Sequence, residues 1–340
     1  MRHPMKALAL SALTFAAFGL FGCPKENTTA PSGGDTKAPS TSANAGGSGE
    51  KIRIVVIPKG TAHSFWQGMK AGAEKAGQDE NIEVIWQGPD RENDITAQVN
   101  LVQTQLNNNV QGAVIAATDA TALVAPIKNL IAKGISVVTV DSGIKEEIAA
   151  CYIATDNVKG GSLGAENLAK SVQEKGKVGL LLFQKGSVSN DEREKGFKEA
   201  LKKFPNIQLV SELYASSPEE ALNQTTNMLT ANPDIVGIFA ANEPNGVGAA
   251  NYLRQTKKVG KVQLVAYDTS PEEVKALDEG VINSLIVQNP YEMGYQGVKT
   301  ALKAIRKQAI EKKFIDSGVT VVTKENRNTP EVQKLLAVPK

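Results

Sequence analysis

The chain has 340 residues, more than one ordinary hydrophobic core accommodates, so two domains are expected. Its 41% hydrophobic and 22% charged residues are those of a globular protein, and Lys+Arg 38 against Asp+Glu 36 leaves a net charge of +2, no basic field for a nucleic-acid partner. Cys23 and Cys151 are the only cysteines and His3 and His63 the only histidines, which excludes a disulfide framework, a cysteine-rich metal site and most histidine-based chemistry.

Arg2 and Lys6 precede an uncharged, mostly apolar stretch from Ala7 to Leu20, too short to span a bilayer comfortably and shaped like the core of an export signal. It ends Leu20-Phe21-Gly22-Cys23, which resembles the bacterial lipoprotein signal, so residues 1–23 are expected to be a signal segment with Cys23 as the lipidated residue. Residues 24–50 are Ser, Thr, Pro, Ala and Gly with almost no large apolar side chain and cannot support a core. As a flexible chain they reach about 30 Å, a tether between a membrane surface and the body beyond.

In the body, short apolar strands alternate with amphipathic helices, the pattern of a parallel sheet covered on both sides. Strands are expected over Ile54 to Ile57, Ile82 to Trp86, Gly112 to Ala117 and Ile135 to Val140, with helical spacing between them at Met69 to Gln78 and Ala97 to Asn107. Pro58-Lys59-Gly60 stops the first strand, and a helical pattern begins near Phe65. The whole series then recurs at an offset of about 125 positions. IVVIPKG at Ile54 answers LLLFQKG at Leu180, GAVIAATD at Gly112 answers GIFAANEP at Gly237, and ISVVTVDS at Ile135 answers VQLVAYDT at Val262. Two similar α/β lobes with open parallel sheets follow, with a ligand expected between them. The chain is expected to cross between lobes after Thr155, after Gln288, and again between Phe314–Ser317 and Val319–Thr323, giving a hinge of three strands. That places residues 51–154 with 290–318 in lobe one and 155–289 with 319–340 in lobe two.

The repeat singles out loops at the carboxyl ends of corresponding strands, where ligands collect in open α/β sheets. His63, Phe65, Trp66, Asp141 and Ser142 come from lobe one, and Asn190, Arg193, Asn242 and Asp268 from lobe two, with Gln288 at a crossing. Ser270-Pro271-Glu272-Glu273 is a capping box, which fills the helix-capping role that Asp268 would otherwise serve. Carboxylates that accept from neighbouring hydroxyls, the planar fork of Arg193, the two-way amides of Asn242 and Gln288, and the flat faces of Phe65 and Trp66 together suit a neutral polyhydroxylated molecule. Lys59 and Lys185, at matched positions in the repeat, are expected to face solvent. Catalysis is poorly supported, since His63 beside Ser64 has no third member. The run Gly246-Val-Gly248-Ala-Ala-Asn251 half-matches a dinucleotide fingerprint, which leaves a nucleotide-dependent oxidoreductase as the alternative from the enzyme class, but Asn251 replaces its last glycine. No phosphate loop, zinc pattern or other cofactor motif appears.

From Lys51 to Asn326 the sequence resembles the type I solute-binding proteins of bacterial ABC importers, in the ribose- and galactose-binding branch. The resemblance is carried by Phe65-Trp66 after the first strand, VVTVDSG, YIATDNVKGGSLGAENLAK, EREKGF, LTANPDIVGIFAANE, VAYDTSPE and the Gln288 crossing. It implies a two-lobed clamp that closes on a sugar and is read by a membrane permease with its ATPase, with no cofactor and no nucleic acid. Phe65 and Trp66 would stack on the sugar, and Asp141, Asn242, Asp268 and Gln288 would hold its hydroxyls. His63 stands where ribose binders commonly carry Asn, Ser142 where Arg often follows the Asp, Ala116 and Ala117 in an Asn region, and Asp191 where Arg is frequent, so ribose itself does not follow. The same clamp could instead present its ligand to a chemoreceptor or sensor kinase. The sugar-responsive repressors that share the fold carry a DNA-binding helix pair where this chain has an export signal.

Overall fold

The computed structural model describes residues 51–337. The signal segment with Cys23 and the tether expected over residues 1–50 lie outside them.

Lobe one opens with β1 (Arg53–Ile57), α1 (Ser64–Glu80), β2 (Glu83–Trp86) and α2 (Ile95–Thr104). It continues through β3 (Gly112–Ile115), α3 (Val124–Ala132), β4 (Ser136–Val140) and β5 (Tyr152–Ala154). The chain then crosses to α4 (Asn157–Ser171), β6 (Gly176–Leu182), α5 (Val188–Leu201), β7 (Ile207–Tyr214) and α6 (Pro218–Ala231). Next come β8 (Ile235–Ala240), α7 (Glu243–Gln255), β9 (Gln263–Tyr267), α8 (Pro271–Glu279) and β10 (Ser284–Val287). A second crossing leads to α9 (Pro290–Ile305) and β11 (Phe314–Asp316), and a third to β12 (Thr320–Val322) and α10 (Pro330–Leu336).

Two six-stranded sheets result, ordered β2-β1-β3-β4-β5-β11 and β7-β6-β8-β9-β10-β12. Every pairing is parallel except that of β12 with β10, which is antiparallel. The shared order makes the sequence repeat a repeat of architecture. The β-branched alternation of β1 shows why each sheet needs two covers. Ile54 and Val56 join the core under α1 and α9, while Val55 and Ile57 join the core under α2 and α3. In the second sheet, Leu180 and Leu182 face α4 and α5, and Leu181 faces the side covered by α6, α7 and α8.

Helix starts follow local chemistry. Asp94, Asp156 and Asn289 each accept a backbone N–H of the first turn, and Ser270 with Glu273 forms the reciprocal capping box expected from the sequence. Thr329 caps α10 with Pro330 at its first position. Helix α1 has no such cap of its own: His63 at its cap position makes no side-chain capping bond. Among the described residues no helix is long and apolar enough to cross a membrane. The crossings are tied to each other, since Thr155 Oγ1 donates to the Gly318 carbonyl at 3.1 Å and the Asp156 N–H to Asp316 at 3.2 Å.

Candidate functional site

The strand order puts the carboxyl ends of β1 and β4 on one wall of a cleft and those of β6, β8 and β9 on the other. Between them lies a space of about 290 Å³ bounded by residues of both lobes. His63, Phe65, Asp141, Arg193, Asn242, Asp268 and Gln288 line it, joined by Lys59, Glu92, Phe183, Ser189, Glu243 and Pro244.

Lys59 corrects an expectation. It is 3% exposed rather than facing solvent, with Nζ 2.8 Å from Asp141 Oδ2 and donating to Ser189 Oγ across the cleft at 2.8 Å. Lys185, its match in the repeat, is exposed as expected. The two differ because Asp141, at the end of β4, supplies a carboxylate that compensates the buried ammonium. Asp141 itself sits at φ 56°, the left-handed region, with its N–H on the Ile153 carbonyl and its own carbonyl accepting from the Tyr152 hydroxyl. The chain spends backbone strain here to turn this carboxylate into the cleft wall.

On the facing wall, Asp268 is also in the left-handed region, at φ 80°. Its Oδ1 accepts from Gln288 Nε2 at 2.6 Å and its Oδ2 from the Glu243 N–H at 3.1 Å. Burial pushes the Asp268 carboxyl up, opposed by the Arg193 charge and the Gln288 hydrogen bond. Arg193 is fully enclosed. Its Nε donates to Asn157 Oδ1 and its Nη1 to the Ala241 carbonyl, both at 2.8 Å, and its guanidinium lies 3.8 Å over the Tyr267 ring. It does not pair with Asp191 or Glu194. Asn242 caps α7 through Oδ1. Gln288 is 3% exposed and its Oε1 has no hydrogen-bond partner among the described residues.

Glu243 supplies the missing cap of α1 from the other lobe. Its carboxylate accepts the N–H groups of Ser64 at 3.1 Å and Phe65 at 3.0 Å, an anion at a helix N-terminus. Burial pushes the Glu243 carboxyl up, and these two bonds pull against it. With Lys59–Ser189, the Ser142–Ser187 hydroxyl contact at 3.2 Å and the Ala120 N–H on the Gly186 carbonyl at 2.9 Å, it holds the lobes together around the space. His63 Nδ1 lies 3.0 Å from Glu92 Oε1. Burial lowers the His63 pKa, but the hydrogen bond and charge of Glu92 outweigh it and raise the imidazole above its ordinary value. Glu92 shows the converse: burial raises it, and His63 and Lys59 hold it below the usual carboxylate range.

Three expected residues are not on the lining. The Trp66 indole is buried edge-on to Phe65 and donates to Glu92, so only Phe65 of the aromatic pair reaches the space. Ser142 is spent on the contact with Ser187. Asn190 turns its Oδ1 inward to accept the Phe183 N–H at 3.0 Å, holding the loop after β6. Glu92 and Phe183 escaped the sequence reading. Glu92 lies in a polar run after β2 that reads as a solvated turn, and Phe183 reads as the end of a buried strand.

The cavity is mixed in charge. Lys59 pairs with Asp141, and Arg193 is held by Asn157, the Ala241 carbonyl and the Tyr267 face. Gly246 and Gly248 lie inside α7 and face packed protein: a Cβ at Gly246 would stand 2.2 Å from Glu273 Oε1, and one at Gly248 2.4 Å from the Pro218 carbonyl. They form no phosphate-cradling loop. Among the described residues no group of His, Cys, Asp and Glu could hold a metal ion.

Behind the site, Glu273 is fully buried with Oε1 unpartnered, and its other oxygen accepts from Ser270. Burial, then the Glu243 and Asp268 charges, push its carboxyl well above the ordinary range. The folded state therefore holds a proton that the unfolded chain releases above the ordinary carboxylate pKa. Stability from this group is full in acid and falls as pH rises from there toward the raised folded pKa. Glu273→Gln, which keeps an acceptor for Ser270, is expected to lose less melting temperature than the parent between pH 5 and pH 7.5 in parallel thermal melts; equal losses would remove Glu273 as the source.

Residues 54–309 match the family model described as periplasmic binding protein domain. The D-allose-binding periplasmic protein of Escherichia coli (strain K12) is 30% identical over 282 residues, covering 77% of this chain and 89% of that protein. The D-ribose/D-allose-binding protein of Pseudomonas aeruginosa is 29% identical, covering 81% and 89%. Among solved structures, a solute-binding protein of an ABC transporter from Agrobacterium vitis with bound D-fucose superimposes with TM-score 0.81 at 35% identity, over 84% of this chain and 100% of that one. A carbohydrate-transporter solute-binding protein from Agrobacterium radiobacter in complex with D-arabinose gives 0.82 at 32% identity, over 84% and 99%.

Proposed function

Because this chain belongs to the periplasmic binding protein domain family, we propose that it captures a monosaccharide or similar polyol between its lobes and delivers it to an ABC-type importer. The observation that carries the reading is the composition of the cavity between the carboxyl ends of the strands of both lobes. Asp141 and Asp268 offer carboxylate acceptors, Lys59, Arg193, Asn242 and Gln288 offer donors or two-way amides, and Phe65 and Phe183 offer apolar faces. Alternating hydroxyls and C–H faces match that inventory, and the sugars bound by the relatives support it.

In this reading residues 51–154 with 290–318 move against 155–289 with 319–340 about the three crossings. Ligand contacts on both walls favour the closed arrangement, which Glu243 latches onto α1. Cys23, in its lipoprotein-like context, anchors the protein by lipid to a bacterial membrane on the outer side of the cytoplasm, and residues 24–50 tether the clamp. A permease with its ATPase receives the ligand, and no chemistry is done on it.

A thermal-shift panel of pentoses, hexoses, polyols and nicotinamide cofactors tests this. A ligand at a hundred times its dissociation constant stabilises by about 2.7 kcal/mol, a rise of roughly 5–10 °C. A response to a nicotinamide cofactor, with none to any sugar or polyol, would overturn the reading.

A further inference from the structure

We infer that the cavity is the inner half of a two-part site whose ligand is a glycoside or disaccharide, one ring held inside and its substituent seated in the adjoining chamber. The inference rests on the sugar-capture reading and narrows its substrate class. Next to the cavity lies a larger chamber that opens to solvent. The two spaces share Phe65, Asp268 and Gln288 as their common wall. The inner space is the smaller of the two.

The chemistry changes across the wall. Inside, the lining is charged and polar; outside, Pro290, Tyr291 and Leu335 make it largely apolar. The Tyr291 ring is braced by Tyr295, stacked with centroids 6.3 Å apart and planes 8° apart, a fixed platform for a second ring. Gln288 stands at the junction with its buried Oε1 free to accept from a ligand hydroxyl. The chamber also draws on both lobes. Tyr291 begins α9, which packs on α1 in lobe one, whereas Leu335 on α10 packs against the core of lobe two. A substituent seated there touches both walls only when the lobes are together, so it adds to closure as the inner ring does.

Isothermal titration of the full chain tests this with D-allose, D-ribose and D-arabinose, each free and as both anomers of its methyl and 4-nitrophenyl glycosides. At least one 4-nitrophenyl glycoside is expected to bind as tightly as its free sugar or more so. Tyr291→Ala is expected to lower the ratio of glycoside to free-sugar affinity about ten-fold, and Thr269→Trp, which fills the chamber, to lower it further. Taking the ratio within each variant removes any general loss of fold or closure. Free sugars that bind while every glycoside is weaker by a hundred-fold overturn the outer subsite alone, as does a ratio unmoved by both substitutions. No binding of these sets or of any sugar or polyol in the thermal-shift panel overturns the capture reading and this inference with it.

Discussion

Asp268→Asn is expected to weaken sugar binding by about a hundred-fold or more while the ligand-free protein stays folded. The substitution keeps the shape and removes the charge. Asp268 is held by Gln288 and by the Glu243 N–H, so its position is set before any ligand arrives. A ligand hydroxyl donating to a carboxylate makes a bond worth about 1.5–3 kcal/mol, and losing the charge from one or two such bonds costs two orders of magnitude in affinity. The fold tolerates the change because Gln288 can present its unpartnered Oε1 to the new amide nitrogen. Titration calorimetry with the best sugar of the panel, beside a melt of the unliganded variant, measures both effects. A dissociation constant within a few-fold of the parent would take Asp268 out of the binding set.

The architecture was legible because its causes are local and repeated. The β-branched run of β1, the capping box at Ser270, Pro330 after Thr329 and the offset of about 125 positions each act within a few residues, and the repeat tests each assignment twice. Strand ends shifted by a residue or two, since pairing decides them: Gly112 to Ala117 was expected, and the ladder with β1 and β4 stops at Ile115. The site was legible to the same depth. Loops after equivalent strands point at one cleft, so Phe65, Asp141, Arg193, Asn242, Asp268 and Gln288 were picked from position and residue type. What could not be read was how those groups choose among partners. Lys59 is buried only because Asp141, far away in sequence, stands beside it, and its repeat mate Lys185 lacks such a neighbour. Trp66 and Asn190 have the right chemistry at the right places but turn to Glu92 and the Phe183 N–H instead. Glu243 follows Asn242 in a loop that faces the cleft, but its bond to the opposite lobe exists only once the lobes meet.

Gly161→Ala is expected to lower the melting temperature by roughly 4–8 °C and to weaken ligand binding together with it. Helices α4 and α5 meet backbone to backbone: a Cβ at Gly161 would stand 2.1 Å from the Arg193 carbonyl oxygen, and one at Gly196 1.9 Å from that of Val158. Lobe one repeats the device at Gly72 and Gly294, against the Tyr291 and Met69 carbonyls. A carbonyl in a helix cannot swing aside, so a methyl group must push the helices apart. Overpacking of this kind costs about 1–3 kcal/mol and occasionally more, offset by the gain of about 0.8–1.0 kcal/mol in helix propensity when Gly becomes Ala. Because helix backbone rather than a side chain must move, the cost falls at the top of that range, about 3 kcal/mol, and the net loss of about 2 kcal/mol corresponds to the stated shift at 2–4 °C per kcal/mol. The coupling to binding follows from which carbonyl is struck. Arg193 supplies it, and the Arg193 guanidinium is locked to Asn157 at the start of α4, to Ala241 and to the Tyr267 face. Moving α5 away from α4 lengthens the Asn157 bond and drags the guanidinium off its ring, so affinity is lost at a distance from the ligand. Melting and titration of the same preparation separate the parts. A lower melting temperature with unchanged affinity would detach the helix packing from the site, and an unchanged melt would show that the helices can slide apart at no cost.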